Sequence, residues 1–179
     1  MTEDALWYEA ALVVGITNAL NVVADALAPT GAPVADLPTG DAGAVLDEIR
    51  AFYARDDVPT AYRVLAGDPA YLADVWAAAR QAFTDHRLTR RMKEALAFSI
   101  SVTTRSVWGS GFHLGEMRRL GVGPRGVMEI LGVTQMFSSY TKIADTLQLD
   151  PDMVGLGPVD CTPAPGGPEV IVSSPLRAR

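Results

Sequence analysis

The stretch SVWGSGFHLGEMRRLGVGPRGVMEIL, residues 106–131, decides how this chain folds. It contains His113, one of two histidines in the chain, and reaches Gly121 eight residues later and Pro124 soon after. Glycine is favoured just past the end of a helix, and proline is favoured in the first turn of the next one. The stretch therefore predicts two successive helices, over about 104–121 and 124–147.

Outward from this stretch, apolar residues recur at helical spacing almost everywhere. Asp68 and Pro69 form a cap and a first turn before an apolar face of Leu72, Val75, Trp76 and Ala79. We expect further helices at about 3–28, 42–55, 58–67 and 68–83, and another from Thr89 onward. The sequence EVIVSS, residues 169–174, is the one candidate for a short strand, in a tail rich in proline and glycine. The pattern predicts an all-α protein.

Composition limits the kinds of partner. Hydrophobic residues make up 49% of the 179 residues and charged residues 20%, which is typical of a globular domain rather than a disordered chain. A formal net charge of −6 argues against nucleic acid as the main partner, because phosphate binding needs clustered basic groups. The one basic cluster (Arg87, Arg90, Arg91, Lys93) is interpreted as the solvated start of a helix.

The cysteine content and the first residues of the sequence bear on redox chemistry and localisation. Cys161 is the single cysteine, so an intramolecular disulfide, a cysteine-based zinc site and a dithiol redox pair are all excluded. One histidine beside scattered carboxylates is also a poor metal site. The first residues, MTEDALWYEA, are acidic where a secretion signal has basic residues, and the uncharged run 10–24 is shorter than a membrane-spanning helix. We expect a cytoplasmic protein that binds no membrane, metal or cofactor.

Residues 57–150 carry an ordered series of motifs. They are DVPTAYRVLAGDPAYLADVW, then LTRRMKEALAFSIS with a central glutamate, then the stretch around His113, and last SSYTKIADTLQLD. In this order and spacing, the region resembles the carboxymuconolactone decarboxylase and AhpD-like family. The resemblance implies an AhpD-like helical bundle that forms an oligomer, a trimer or a hexamer. It divides the chain into an N-terminal helical arm (1–56) that packs on the core or on a neighbouring subunit, the AhpD-like domain (57–150) and a C-terminal tail (151–179).

The chain departs from the redox branch of that family at two positions. In that branch a Cys-x-x-Cys pair precedes the histidine, and a glutamate lies nineteen positions before it. Counted from His113, the glutamate position is Glu94, but the two cysteine positions are Ser106 and Gly109. Peroxide reduction needs an attacking thiolate and a resolving thiol, so thiol peroxidase activity is not expected. The non-redox branch manages without the cysteine pair.

Glu94 and His113 are the candidate catalytic residues. In the family fold their helices lie side by side, so a carboxylate can orient an imidazole that moves protons near neutral pH. The glycines Gly109, Gly111 and Gly115 weaken a helix, which suggests close packing of another helix or room for a ligand. Substrate contacts are assigned to Ser106, Trp108, Gly109, Phe112 and Tyr140.

The functional interpretation is a cofactor-free lyase or isomerase of the decarboxylase type, acting on a small organic acid or related metabolite. Two alternatives remain open from the sequence alone. One is a non-catalytic binding or assembly protein on the same fold. The other is a hydrolase like the helical haloacid dehalogenases, which the segment VPTAYRVLAGDPAYLADVW faintly resembles. The first helix is apolar on several faces, which also favours a homo-oligomer.

Overall fold

A computed structural model describes residues 4–27 and 40–149. Seven helices follow along the chain: α1 (Asp4–Leu27), α2 (Asp41–Tyr53), α3 (Thr60–Leu65), α4 (Pro69–Phe83), α5 (Arg90–Thr103), α6 (Val107–Arg119) and α7 (Pro124–Leu147). No β-strand occurs in these two ranges, so the all-α prediction is confirmed. Cys161 and the segment EVIVSS lie outside the described residues.

Local capping explains where the helices begin. Asp68 accepts a hydrogen bond from the backbone N–H of Tyr71 (3.1 Å) and starts α4, as the sequence predicts. Ser106 caps α6 in the same way, accepting from the N–H of Gly109 (2.9 Å). Helix α6 therefore starts at Val107 rather than near Thr104. A residue in the left-handed region, Arg105 with φ of 61°, separates it from α5.

Helix α5 lies at the centre of the fold and packs against α1, α4, α6 and α7. Helices α5 and α6 form an antiparallel hairpin, because Ser101 lies near Gly109 and Glu94 lies near His113. The apolar core is built on α1 to α4, and its largest fully buried side chains include Tyr53, Tyr62, Phe83, Leu20, Leu46, Ile49 and Leu72. The α5–α6 hairpin closes one side of this core.

Helix α1 packs along α3, α4, α5 and α6 through one face. That face carries Val13, Ile16, Thr17, Leu20, Asn21 and Ala24, all buried. By length and composition alone, Ala5–Leu27 is apolar enough to cross a membrane, with a mean hydropathy of 1.7 and 33% of the window buried. A single helix of this kind is weak grounds for a membrane protein. Asn21, a buried polar side chain of α1, is hydrogen-bonded to Ser101 on α5.

The prediction that the basic cluster is solvated is wrong for Arg90 and Lys93, two of its four members. Arg91 is exposed, but Arg90 is only 9% exposed and Lys93 is fully buried. The ammonium group of Lys93 lies 2.5 Å from Oε1 of Glu9 on α1 and donates to the backbone oxygen of Thr84. A buried cation needs such partners, and a basic run in a sequence does not reveal them.

Helix α7 has no buried residue along its 24 residues. It packs on α5 and exposes a stripe of large apolar side chains at helical spacing: Val133, Met136, Phe137, Tyr140, Ile143 and Leu147. We call these six residues the α7 stripe. A contiguous exposed apolar surface of this kind is typical of an interaction surface.

Candidate functional site

Glu94 and His113 meet inside the α5–α6 hairpin. The Nδ1 atom of His113 lies 2.7 Å from Oε2 of Glu94, and the two residues are 1% and 0% exposed. Because an ionised carboxylate only accepts hydrogen bonds, Nδ1 carries the proton in this contact. The side chains therefore approach as the helix packing predicts, and the carboxylate fixes both the ring orientation and the tautomer.

Glu94 has a second partner on its own helix. Nε of Arg90, one turn earlier, donates to Oε1 of Glu94 at 2.6 Å. The guanidinium also lies over the rings of Phe52 and Tyr53, 4.3 Å and 5.1 Å from their centroids. Both carboxylate oxygens of Glu94 are thus occupied, one by a cation and one by the imidazole. The carboxylate cannot rotate away from His113 without breaking a buried ion pair.

The ion pair extends toward the surface through α6. Nη2 of Arg90 lies 3.4 Å from Oε2 of Glu116, and Arg119 donates to the same oxygen through Nη2 (2.6 Å) and Nε (3.1 Å). The hydrogen bond to Glu116 is the main cause that raises the pKa of Arg119. The formal charges of this network cancel, because it contains two carboxylates (Glu94 and Glu116) and two guanidiniums (Arg90 and Arg119). His113 consequently adds one positive charge to a neutral set of neighbours whenever it is doubly protonated.

Aromatic rings surround the imidazole of His113. Phe83 stacks on it with a centroid distance of 5.7 Å, Phe112 contacts it edge-on at 5.1 Å, and Trp108 does so at 6.5 Å. The other ring nitrogen, Nε2, is buried and has no hydrogen-bond partner in the described part of the chain. Buried polar atoms are nearly always paired, so an unpaired one indicates a place for a ligand or a water. Nε2 is therefore the ring atom whose hydrogen-bonding capacity is unused among the described residues.

The structure places the other sequence-predicted site residues differently. Trp108 and Phe112 lie beside His113 and stack on each other at 5.0 Å. The hydroxyl of Ser106 is occupied as the α6 cap, which is a structural role rather than the expected substrate contact. Tyr140 is 61% exposed on the α7 stripe, with no hydrogen bond or ring contact to Glu94 or His113. Tyr140 is thus not brought to this site.

Gly109 is required for packing rather than for ligand room. A Cβ atom at this position would overlap Oδ1 of Asn21 and lie 2.5 Å from Oγ of Ser101. Asn21 and Ser101 hydrogen-bond each other at 3.0 Å across α1 and α5, and Ser101 also donates to the backbone oxygen of Ala97. The amide of Asn21 fills the space that a side chain at position 109 would need. The second cysteine of a Cys-x-x-Cys pair therefore does not fit here.

The other two glycines do not mediate close packing. A Cβ atom on Gly111 or Gly115 would meet nothing within 4 Å, and both residues are exposed. Of the two explanations offered for these glycines, close packing of another helix does not apply to Gly111 or Gly115 within residues 4–27 and 40–149.

Sequence reasoning missed several residues of the site. The Glu94–His113 pair is extended by Arg90 and Glu116. Position 109 requires glycine because Asn21 and Ser101 fill the space that a side chain would need. The spacing of Arg90 and Glu94, four residues apart on one helix, was an available signal for an ion pair. No local signal exists for Asn21, which lies 80 residues from Ser101.

Metal ligation and cavity space are the next features of the region around the pair. Within residues 4–27 and 40–149, no group of three or more histidine, cysteine, aspartate or glutamate side chains is placed to hold a metal ion. One open cavity of about 300 Å³ is lined by Glu48, Ala51, Phe52, Trp76 and Arg80. Phe52 separates it from the guanidinium of Arg90.

Comparison with known proteins defines the fold class. No protein-family model matches the chain, and no curated protein does. The fold is AhpD-like. The solved structure of the alkylhydroperoxidase AhpD core from Rhodospirillum rubrum aligns with a TM-score of 0.62 at 23% sequence identity, over 69% of this chain and 96% of that one. At this identity the likeness concerns the fold alone, and it gives no support to the alternative of a helical haloacid dehalogenase.

Proposed function

We propose that this protein is a cofactor-free lyase or isomerase of the carboxymuconolactone decarboxylase type, with His113 as its proton-transfer residue. The observation that carries the proposal is the asymmetry of the imidazole. Nδ1 is held by Glu94 at 2.7 Å, whereas Nε2 is buried and unpaired in the described residues. An oriented imidazole with one free nitrogen is the usual arrangement for general acid–base catalysis.

The proposed chemistry is proton transfer at a carbon next to a carboxyl or carbonyl group. In decarboxylation the C–C bond to the carboxylate breaks, CO₂ leaves, and the electron pair remains on the carbon. The doubly protonated His113 then delivers a proton from Nε2 to that carbon. In isomerisation Nε2 instead removes a proton from one carbon and returns it to another. Glu94 supports both routes because its negative charge stabilises the doubly protonated ring.

The surroundings of His113 suit a small, partly apolar substrate. Phe83 and Phe112 give the imidazole apolar walls, and the buried ion pairs beyond Glu94 keep its carboxylate in place. Trp108 is the partly exposed ring of this group, so we propose that the substrate enters past it. Low local polarity strengthens the electrostatic effect of Glu94 on the ring. Thiol-dependent chemistry is not proposed, because positions 106 and 109 carry Ser and Gly.

The experiment is a screen of small carboxylates, lactones and aromatic metabolites for thermal stabilisation, followed by assay of each stabilising compound for turnover. A ligand that binds only the folded protein raises the melting temperature, and the stabilisation grows with the logarithm of its concentration relative to Kd. We expect at least one organic acid to stabilise the protein and to be converted without an added metal or cofactor. Turnover of a peroxide with a dithiol would contradict the proposal.

A non-catalytic binding or assembly protein on the same fold is the second candidate. It is favoured by the burial of His113, which is 1% exposed, and by the space at Gly109 being filled by Asn21. In that case Glu94 and His113 form a structural tie between α5 and α6. Compounds that stabilise the protein but are never converted would support this candidate over the enzyme.

A further inference from the structure

Three buried side-chain polar atoms lack a hydrogen bond among the described residues. One of them, Oε1 of Glu9, is nevertheless paired by charge with the ammonium group of Lys93. The remaining two are Nε2 of His113 and the hydroxyl of Thr17, a residue that is 0% exposed. Because buried polar groups are costly when unpaired, two such groups in one small protein call for a common explanation.

The hydroxyl of Thr17 behaves unlike other hydroxyls in the helices. Ser101, Thr134 and Thr146 each donate to the backbone oxygen four residues earlier, which is the usual way for a helical hydroxyl to be satisfied. Thr17 lies in the middle of α1 and does not make this bond. Its hydroxyl is therefore not satisfied by its own helix, although the residue is fully buried.

Helix register places Thr17 at the level of His113. On α1, Glu9 pairs with Lys93 and Asn21 pairs with Ser101, so Thr17 lies between these two contacts with α5. One turn from Asn21 along α1 leads to Thr17. Asn21 contacts Ser101 on α5 and Gly109 on α6, so these three residues lie at one level. One helical turn away from that level, Thr17 on α1 corresponds to Ala97 on α5 and to His113 on α6.

A small side chain occupies this level on α5. Ala97 is fully buried and lies between Ser101 and Glu94 along one helix face. A side chain larger than alanine at position 97 would occupy part of this level of the interface, where the register places Thr17 and His113. The junction of α1, α5 and α6 thus combines a small residue with two unpaired polar groups.

We propose that Thr17 is a substrate-binding residue of the His113 site, and that the two side chains together bind one carboxylate group. The hydroxyl of Thr17 and the protonated Nε2 of His113 each donate a hydrogen bond to it. Glu94 and Glu116 already balance Arg90 and Arg119, so a doubly protonated His113 leaves one positive charge that an anion neutralises. This inference rests on the proposed function and narrows its substrate to an organic acid anchored from α1.

The test uses sodium benzoate as the probe, with benzamide as its uncharged counterpart. The full-length protein is labelled with ¹⁵N-histidine, and the ring signals of its two histidines are assigned with His113→Gln. We expect benzoate to shift the Nε2 signal of His113 saturably and benzamide to bind more weakly. Thr17→Val is expected to weaken benzoate binding about tenfold or more, since it removes a hydrogen bond to a charged group. Thr17→Ser keeps the hydroxyl and is expected to bind benzoate nearly as well as the wild type.

Melting temperature separates this role from a structural one. Thr17→Val removes a hydroxyl with no partner among the described residues, so the free protein is expected to melt at the same or a higher temperature. Thr134→Val is the matched control, because it loses bonds to Ile130 and Ser99 and is expected to lower the melting temperature without affecting benzoate. A markedly lower melting temperature for Thr17→Val, with unchanged benzoate affinity, would overturn the inference.

The remaining outcomes separate the two proposals. A wild-type protein that does not bind benzoate would overturn the carboxylate site. Benzoate binding that is lost in His113→Gln but unchanged in Thr17→Val would overturn the role of Thr17, while the carboxylate site at His113 would stand. Benzoate binding that needs both residues, combined with substrate turnover that does not need His113, would support this inference and contradict the proposed function.

Discussion

The carboxylate of Glu94 lies between two cationic or proton-donating partners, with Nδ1 of His113 2.7 Å from one oxygen and Nε of Arg90 2.6 Å from the other. This arrangement commits the imidazole to a single orientation and leaves only Nε2 for a ligand. Both partners of Glu94 are at least nine-tenths buried, so the arrangement depends on every member being present.

Replacement of Glu94 by glutamine should destabilise the protein strongly. The variant Glu94→Gln leaves Arg90 with one fewer anion in a buried environment, and breaking a buried ion pair costs about 3–5 kcal/mol. Chemical denaturation measures the change in the free energy of unfolding. The control is Glu129→Gln, whose pair with Arg125 is exposed, and which is expected to change stability by less than about 1 kcal/mol. Equal effects of the two variants would show that the buried network does not stabilise the fold.

Alanine should be tolerated at one glycine of α6 and not at another. Gly109→Ala places a methyl group against Asn21 and Ser101, and overpacking of this kind costs about 1–3 kcal/mol. Gly111→Ala meets nothing within 4 Å and gains helix propensity, so it is expected to stabilise by up to about 1 kcal/mol. Denaturation of both variants measures the difference.

A double variant tests the cause of the Gly109 effect. Asn21→Ala removes the side chain that fills the space at position 109, so Asn21→Ala with Gly109→Ala should cost less than the two single changes added together. Strict additivity would mean that Asn21 is not what requires glycine here.

The Glu9–Lys93 pair should make stability depend on acidic pH. Burial raises the pKa of Glu9, but the close positive charge of Lys93 and the backbone N–H of Arg87, which donates to Oε2 of Glu9, outweigh this effect and lower the pKa below the usual 4.5. A carboxyl with a lowered folded-state pKa contributes stability that is present above the unfolded value and is lost as the pH falls through the folded value. Urea denaturation between about pH 7 and pH 3 should therefore show less pH dependence for Glu9→Gln than for the wild type. The same slope in both proteins would assign the acid sensitivity to other carboxyls.

The α7 stripe should hold copies of the chain together. We propose self-association because six large apolar side chains at helical spacing are exposed on a helix with no buried residue. Phe137→Glu with Tyr140→Glu is expected to lower the mass in solution, measured by light scattering after gel filtration. Val107→Glu is the matched control, since Val107 is 86% exposed but lies on α6. A mass that is unchanged by the α7 changes would contradict this role of the stripe.

The helices could be predicted from the sequence because their signals are local: Asp68 with Pro69, for example, indicates the start of α4. The pairing of Glu94 with His113 is predicted from the resemblance to the AhpD-like family, whose motif places a glutamate nineteen positions before the histidine. The residues that complete the site could not be predicted. Asn21 contacts α5 and α6 only through the register of α1 against these helices, which depends on packing between residues 80 positions apart. The burial of Arg90 and Lys93 likewise depends on partners in other helices.

The role of Ser106 shows how one pattern supports two interpretations. A hydroxyl two turns before a histidine on one helix face is equally consistent with a substrate contact and with an N-cap. The deciding feature is the backbone break at Arg105, whose positive φ is unusual for a residue with a side chain and is not evident from the sequence. Helix α6 therefore starts one residue after Ser106, and the hydroxyl is used by the N–H of Gly109.

The central claim is that His113 transfers a proton through Nε2, and the most direct measurement is the turnover rate of a substrate from the screen by His113→Gln relative to the wild type. Glutamine keeps an amide beside Glu94 but cannot act as a general acid or base. With both proteins shown to be folded, we expect the variant to be slower by about 100-fold or more. A rate within about twofold of the wild type, far below the usual contribution of general acid–base catalysis, would contradict the claim.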